Sequence, residues 1–185
     1  MKETAQLANS LEKLQQNLFD FVDGLSTEQW EWKPSPEQFA IAQCVDHMNT
    51  VNGLVVPRLE EAVRRGAEQN PRANGPFRYP IFDRLFVFAL EPRAPLKQQS
   101  SEMYRPAQAA PGLDETRRRF AGLQLRLVAC TYGAEGLDLV RIKIASPVSD
   151  MLRFSLGTWL AASLAHEENH FAQALRLREH PQFPG

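Results

Sequence analysis

Apolar side chains recur at steps of four and three residues in the first part of the chain, and polar side chains fill the gaps. The apolar positions are Leu7, Leu11, Leu14, Leu18 and Phe21. This spacing predicts an amphipathic helix with one buried face, which should end near Gly24. Tryptophans and prolines follow, and because proline stops a helix, we expect a loop there. These residues are Trp30, Trp32, Pro34 and Pro36.

Three more long helices are predicted from the same kind of pattern. The second should span about residues 39–66, because Gly66 offers a stop signal. The third should span about residues 113–133, with acidic residues in its first turn. The last should span about residues 155–178, with Ser155 as its N-cap.

Repeated prolines interrupt the segment between the second and third long helices, residues 69–111. Within it only residues 81–90 are apolar enough for a short buried helix, so this segment has too little apolar content for a core of its own. Residues 137–144 alternate loosely and could form a short extended piece, which Pro147 closes. The predicted fold class is therefore all-α. We expect a single domain over residues 1–185, a four-helix bundle with a Pro-rich insertion between the second and third long helices.

The composition excludes some classes of partner. The formal net charge is −1, so no overall positive field would attract nucleic acid or an anionic membrane, and the basic run at residues 117–119 fits an exposed helix face. Cys44 and Cys130 form neither a C-x-x-C motif nor a disulfide framework. No apolar run approaches the ~20 residues of a membrane span. The first residues lead into an acid-containing helix rather than an apolar signal segment, so we expect a cytoplasmic protein.

The candidate chemistry is concentrated near the end of the chain, in the run His166-Glu167-Glu168-Asn169-His170. Two histidines four residues apart on a helix lie on one face, about 6 Å apart along the axis, so both rings can reach one ion. The chain has only four histidines, which makes this pairing notable. The alternative is a pair of surface or hydrogen-bonded histidines that are in register by chance.

His47 is a candidate third ligand. It lies in the middle of the second helix beside the apolar face, where a buried imidazole needs a hydrogen bond or a metal. With His166 and His170 it would form a three-nitrogen site with open positions for water or substrate, which suits one divalent ion, zinc or nickel. His180 lies in a Pro-bounded tail, and we do not expect it to be a ligand, because ordering it there would carry an entropic cost.

The same run matches H-E-x-x-H, the zincin protease signature in which the glutamate is the general base. Zincins take their third ligand from downstream, but only fifteen residues follow His170, and Arg176 stands where the extended motif needs histidine. A zincin is therefore not favoured. Glu167 lies roughly 100° around the helix from His166, so a role beside the ligands or in solvent is favoured over direct ligation. Glu167 and Glu168 are interpreted as two solvated helix acids, with a role as base kept as the alternative.

With these residues in place, the chain resembles the DinB-like superfamily. The similarity lies in a mid-helix histidine on the second helix, here His47, and in H-x-x-x-H followed by x-x-Q on the last, here residues 166–173. It extends to residues 25–34, to residues 154–156 and to the His-Pro-x-Phe-Pro ending, and it is weakest across residues 69–111.

The resemblance implies a four-helix bundle that holds a divalent metal with His47, His166 and His170 and often forms a homodimer. Family members with assigned activity include thiol-dependent S-transferases and a maleylpyruvate isomerase that use bacterial low-molecular-weight thiols, and many relatives have no known reaction. Two positions depart from the family pattern. Residues 39–40 are Phe-Ala where a Trp-Ser pair is common, and Glu167 stands where aspartate is common, which alters any acid or base role inferred by analogy.

Three functional hypotheses follow. The leading one is a metal-dependent enzyme that acts on a small molecule, with thiol S-transfer as its reaction. A metal hydrolase with Glu167 or Glu168 as base is the nearest alternative. The third is a non-catalytic binding or stress protein whose ion orders the bundle. The expected partners are a small-molecule substrate, including a low-molecular-weight thiol, and a second copy of the chain. Nucleic acid and membrane are not expected.

Overall fold

Four long helices form the body of the protein in the computed structural model, which describes residues 2–69, 72–94 and 112–185. The helices are α1 (Lys2–Val22), α2 (Thr27–Glu31), α3 (Ile41–Gln69), α4 (Ile81–Leu90), α5 (Leu113–Gly133) and α6 (Leu156–Arg178). The strands are β1 (Lys143–Ser146) and β2 (Ser149–Ser155). The predicted all-α class is confirmed, with α1, α3, α5 and α6 as the long helices. No helix in these ranges is long and apolar enough to cross a membrane.

The four long helices surround two buried apolar clusters. Helices α1 and α3 each pack against both α5 and α6, so α1 is diagonal to α3 and α5 is diagonal to α6. One cluster includes Leu11, Leu59 and Leu160, and the other includes Leu18, Met48 and Phe120. Each long helix contributes to both clusters, because its apolar stripe continues through both halves of the bundle.

The first helix follows its sequence pattern closely. Of the five apolar positions that predicted it, Leu11, Leu14, Leu18 and Phe21 are buried, and Leu7 packs against the core. The helix ends at Val22, and Gly24 then adopts φ +77°, a conformation that glycine takes without steric strain.

The loop after α1 contains a helix that the sequence reasoning missed. Helix α2 begins with a capping box, in which the Ser26 hydroxyl accepts a hydrogen bond from the Gln29 backbone N–H at 3.1 Å. The Gln29 side chain accepts one from the Ser26 backbone N–H at 3.0 Å in return. The signal was present as Ser-x-x-Gln, but the nearby prolines led to the prediction of a loop.

Gly66 does not end α3, which continues to Gln69. Instead this glycine allows a close approach between α3 and the segment before β1. A Cβ at Gly66 would lie 2.7 Å from Ile142 Cδ1 and 3.1 Å from Leu137 Cδ1. The residue is therefore a packing requirement rather than a stop signal.

The helix predicted at residues 81–90 has the expected bounds as α4, but the prediction that it is buried is wrong. The exposed fractions are 64% for Ile81, 75% for Phe82 and 54% for Leu85. Only one edge of α4 packs inward, where the Phe86 ring stacks on Phe154 with centroids 4.2 Å apart. Within the predicted Pro-rich insertion, residues 70–71 and 95–111 lie outside the described residues.

A two-stranded antiparallel hairpin precedes α6, with Pro147 in its turn. The extended piece predicted at residues 137–144 overlaps β1 only at its last two residues, and β2 was not predicted. Strand β2 leads directly into α6, whose N-cap is Ser155, as the sequence indicated. The hairpin and α4 together support the start of α6, the helix that carries the histidine pair.

Candidate metal centre

Two helices bring three of the four histidines together. His47 lies on α3, and His166 and His170 lie one turn apart on α6, which packs against α3. The exposed fractions are 3% for His47 and 9% for His166, whereas His170 is half-buried. We call these three residues the histidine triad. Burial is therefore deepest at two of its members, and His170 marks the side that is open to solvent.

The distances within the histidine triad are short. The Nε2 atoms of His47 and His166 are 3.1 Å apart. The His170 ring centroid lies 4.4 Å from that of His47 and 4.6 Å from that of His166. One potential ligand atom from each residue lies within 4.8 Å of the other two. The three side chains therefore converge on one point between α3 and α6.

This arrangement fits a metal ion. With metal–nitrogen bonds of about 2.0–2.1 Å, two imidazoles would have nitrogens about 3.3–3.4 Å apart on a tetrahedral ion and about 2.9 Å apart at a right angle. The observed 3.1 Å between the Nε2 atoms lies between these values. In addition, the buried His166 Nδ1 has no hydrogen-bond partner. The 3.1 Å contact also has the length of a hydrogen bond between the two rings, so the feature that favours a metal is the third ring, His170, beside both of them.

The surroundings of His166 and His170 keep these two imidazoles neutral. Burial lowers the pKa of His166 well below its ordinary value, and His170 and His47 lower it further. Burial and then His47 lower the pKa of His170 to about 3, although its contact with Gln173 acts in the opposite direction. A neutral imidazole has a free lone pair, which is the form that binds a metal.

Gln173 orients one member of the histidine triad. Its Oε1 lies 3.1 Å from Nδ1 of His170, so that nitrogen can donate its proton there and leave Nε2 with a lone pair. Gln173 is the glutamine of the H-x-x-x-H-x-x-Q pattern noted in the sequence.

His180 is not brought to the site. Its ring lies 5.2 Å from the Trp32 ring in the C-terminal tail, and its Nδ1 accepts a hydrogen bond from the Gln182 backbone N–H at 3.2 Å. The first contact packs the tail against the end of α2, and the second lies within the tail itself.

The two glutamates between the histidines have different surroundings. Glu168 is exposed, as expected of a helix acid. Glu167 is 0% exposed, so its interpretation as a solvated acid is wrong. Burial raises the pKa of Glu167 to about 7, while hydrogen bonds from Asn52 and Gln124 act to lower it. The physical reason is that the 100° offset from His166 turns Glu167 toward the bundle interior rather than toward solvent.

Sequence reasoning did not single out Asn52 or Gln124, the two partners of Glu167. Asn52 Nδ2 donates to Glu167 Oε1 at 2.7 Å, and Gln124 Nε2 donates to Glu167 Oε2 at 2.9 Å. The available signal was a polar residue at a core position, because both residues interrupt otherwise apolar helix stripes.

A surface groove of about 450 Å³ runs along α6, but the histidine triad does not line it. It is lined instead by Ala161, Ala165 and Glu168, which lie on the opposite face of α6 from the histidines, and by residues of α1 and α4. A substrate for the histidine triad would therefore approach at the half-buried His170 rather than through this groove.

The fold and the site together define a class: a helical bundle with a candidate three-histidine metal centre between two of its helices. The sequence model of the DinB superfamily matches residues 10–174, which is most of the chain. The chain belongs to the DinB superfamily. No curated protein and no solved structure matches it.

Proposed function

We propose that this protein is a metal-dependent enzyme that transfers a low-molecular-weight thiol to a small electrophilic acceptor. In this proposal His47, His166 and His170 hold one divalent ion, zinc or nickel. The observation that carries it is the convergence of three imidazoles, each within 4.8 Å of the others, at a point where one of them is half-buried and accessible. Imidazole ligands suit both metals.

The residues of the site perform three tasks in this reaction. Among the described residues the histidine triad supplies three ligands, so a bound ion would keep at least one coordination position for substrate or water. Gln173 holds His170 in one tautomer. Phe39, whose ring lies 6.0 Å from that of His47, provides an apolar wall beside the site. When bound, a divalent ion would supply the Lewis acidity that lowers the pKa of a thiol at neutral pH.

The transfer balances without a further reagent. The thiol loses its proton to solvent, and its sulfur forms a bond to the electrophilic carbon of the acceptor. The leaving group departs with the electron pair of the bond that breaks. No oxidant or reductant is needed.

The positions of the two glutamates favour this reaction over hydrolysis with a glutamate base. Glu167 is 0% exposed and its carboxylate is held by Asn52 and Gln124, so it does not face water at the histidine triad. Glu168 lines the groove on the opposite face of α6. Neither carboxylate is placed to act at the histidine triad.

A non-catalytic, metal-stabilised binding or stress protein is the other class to be tested. The two apolar clusters are contributed by all four long helices, so the bundle has a core that does not depend on an ion. This observation favours the enzyme. An apo protein that remains folded would support it, whereas one that melts on chelation would support the structural role.

The deciding experiment is a screen of zinc- and nickel-loaded protein against low-molecular-weight thiols paired with electrophilic acceptors. We expect thiol consumption and thioether formation with the wild type and with His180→Ala, and neither with His170→Ala. His180→Ala is the matched control, because it removes a histidine outside the site. Equal turnover by His170→Ala and wild type would contradict the proposal.

Two further parts of the proposal concern where and how the protein acts. Cys44 and Cys130 are both free and buried, which supports a cytoplasmic location.

We also propose a homodimer, and the exposed apolar side chains of α4 offer one surface for it. Sedimentation that shows only a monomer at micromolar concentration would contradict the dimer.

A further inference from the structure

A buried chain of hydrogen bonds connects all four long helices of the bundle. On α6, Glu167 accepts from Asn52 of α3 at 2.7 Å and from Gln124 of α5 at 2.9 Å. The same Gln124 Nε2 also donates to the backbone carbonyl of Leu11 on α1 at 3.0 Å. The side chains of Asn52, Gln124 and Glu167 are at most 1% exposed. We call these three residues the buried polar layer.

The buried polar layer lies between the two apolar clusters. On α3, Asn52 falls between Met48 of one cluster and Val55 of the other, and on α5, Gln124 falls between Phe120 and Leu127 in the same way. The layer therefore crosses the bundle near mid-height. It includes a contact between α5 and α6, the diagonal pair, so its hydrogen bonds fix the arrangement of helices that share few other contacts.

This layer is adjacent to the histidine triad on both helices that carry it. Glu167 directly follows His166 on α6, and Asn52 lies five residues after His47 on α3. Helices α3 and α6 are thus connected at two levels: by the histidines, and by the 2.7 Å hydrogen bond between Asn52 and Glu167. The two helices also pack through apolar side chains, and the hydrogen bond adds to that packing a directional contact that favours one relative rotation.

Metal binding is sensitive to that rotation. A side-chain end about 6 Å from a helix axis moves by about 1 Å when the helix turns by about 10°. Metal–ligand distances tolerate only about 0.2 Å. A small rotation of α6 against α3 would therefore separate His166 and His170 from the point that His47 faces.

We propose that Glu167 is a positioning residue for the metal centre, which it aligns through Asn52 and Gln124. The inference rests on the proposed metal site and adds the hydrogen bonds that set the geometry of that site. Glu167 is not a ligand in this proposal, because both of its oxygens are held by amides. A buried carboxylate is not needed for stability, since apolar side chains of similar volume often serve equally well. The better attested role of such a group is to specify one arrangement of the helices around it.

Three variants test the proposal, each measured for zinc affinity by chelator competition and for the visible spectrum of bound cobalt(II). Glu167→Gln keeps the shape but places an amide nitrogen against the donating nitrogen of Gln124, so one hydrogen bond is lost. Asn52→Leu removes the link to α3. The double variant Asn52→Leu/Glu167→Met replaces both partners with apolar groups, so that no buried charge is left unpaired.

We expect each variant to bind zinc about 10- to 100-fold more weakly and to show an altered cobalt spectrum. In the double variant this should occur while urea unfolding of the apo protein remains close to that of the wild type. Thr131→Val is the matched control, since Thr131 is fully buried on α5 and its hydroxyl donates only to the Leu127 carbonyl, at 2.8 Å. It should lower stability and leave zinc affinity and the cobalt spectrum unchanged.

The outcomes separate this inference from the proposed function. If the wild type binds zinc and the folded Glu167→Gln variant binds it with the same affinity and spectrum, the positioning role is overturned and the metal site stands. If the wild type binds neither zinc nor cobalt, the metal site is wrong, and the positioning role is overturned with it.

Discussion

Two groups of buried polar side chains lie side by side in this bundle and differ in how their polar atoms are arranged. In the buried polar layer, both oxygens of Glu167 accept from amides. In the histidine triad, His166 Nδ1 has no partner, and the Nε2 atoms of His47 and His166 face each other. In the first group the carboxylate of Glu167 is held within the protein, although Gln124 Oε1 has no hydrogen-bond partner. The second group instead brings one ring nitrogen from each of three residues within 4.8 Å of the others.

This difference distinguishes side chains that fix how helices pack from side chains that can bind a ligand. A polar group that the protein itself satisfies costs little and can specify how helices pack. A buried polar atom without a partner is costly, but Gln124 Oε1 and His166 Nδ1 both lack one, so this property alone does not identify a ligand site. The histidine triad is a candidate metal site because three potential ligand atoms converge there, an arrangement that the buried polar layer does not offer.

The strongest test of the comparison is to remove the histidines. His47→Ala, His166→Ala and His170→Ala should each weaken metal binding by more than about 100-fold, because the loss of a direct ligand should exceed the effect of losing an outer partner. Elemental analysis after desalting would measure the bound metal. His180→Ala should keep full occupancy, since that side chain packs against Trp32. Stoichiometric metal in His47→Ala, or loss of metal in His180→Ala, would show that the histidine triad is not the site.

The stability of the apo protein should depend on pH with opposite signs at the two groups. Burial lowers the pKa of His170 to about 3, so between about 6.5 and 3 the unfolded chain binds more protons at this residue. Its contribution to stability is therefore lost as the pH falls. Burial raises the pKa of Glu167 to about 7, so between about 4.5 and 7 the folded protein binds more protons at this residue. Its contribution is lost as the pH rises.

Urea unfolding of chelator-treated protein from pH 4 to pH 8 would measure both effects. Relative to the wild type, His170→Gln should lose less stability on acidification, and Glu167→Gln should lose less as the pH rises toward 7. Parallel pH profiles for the wild type and both variants would show that these two side chains do not titrate as their surroundings imply.

The sequence predicted the histidine triad because its signal is local and chemical. The spacing of His166 and His170 places both on one helix face whatever the rest of the fold does, and the apolar stripe around His47 indicates burial. The long helices were predictable for the same reason, since an amphipathic pattern needs only its own segment.

The buried polar layer was not predicted, because it has no local signal of that kind. An asparagine or glutamine in an apolar stripe shows that a partner is needed, but the partner of Asn52 is Glu167, 115 residues away. The predictions that α4 is buried and that Gly66 ends α3 were wrong for a related reason. Both depend on what packs against the element, for example Ile142 against Gly66, and not on the element itself.

A third group of hydrogen-bonded polar side chains lies at the start of α6, and we expect its loss to have a smaller effect. Asp83 Oδ2 accepts from the Thr158 hydroxyl at 2.6 Å, the Ser155 hydroxyl at 2.8 Å and the Ser155 backbone N–H at 3.2 Å. Burial alone would raise the pKa of Asp83, but these hydrogen bonds outweigh it and the pKa is lowered. Asp83→Asn should lower the free energy of unfolding by about 1–2 kcal/mol, because one amide cannot accept as strongly from all three donors.

Zinc affinity should not change in Asp83→Asn, since this residue supports the beginning of α6 and the histidines lie about three turns further along. Urea unfolding and chelator competition on the same preparation would measure the free energy of unfolding and the zinc affinity. A loss of zinc affinity as large as that of Glu167→Gln would mean that the start of α6 also positions the histidine triad.

The smallest expected effect concerns Gln173, whose side-chain oxygen lies close to a ring nitrogen of the histidine triad, Nδ1 of His170. Gln173→Leu removes the acceptor for His170 Nδ1, which lies 3.1 Å from the glutamine oxygen, and frees the ring to change tautomer. We expect zinc affinity to fall about tenfold, with a change in unfolding free energy within about 0.5 kcal/mol because the side chain is only half-buried. Gln173→Glu retains an acceptor and should restore the affinity. If Gln173→Leu and Gln173→Glu bind zinc equally, His170 is oriented by its packing alone, and Gln173 is not one of the residues that support the histidine triad.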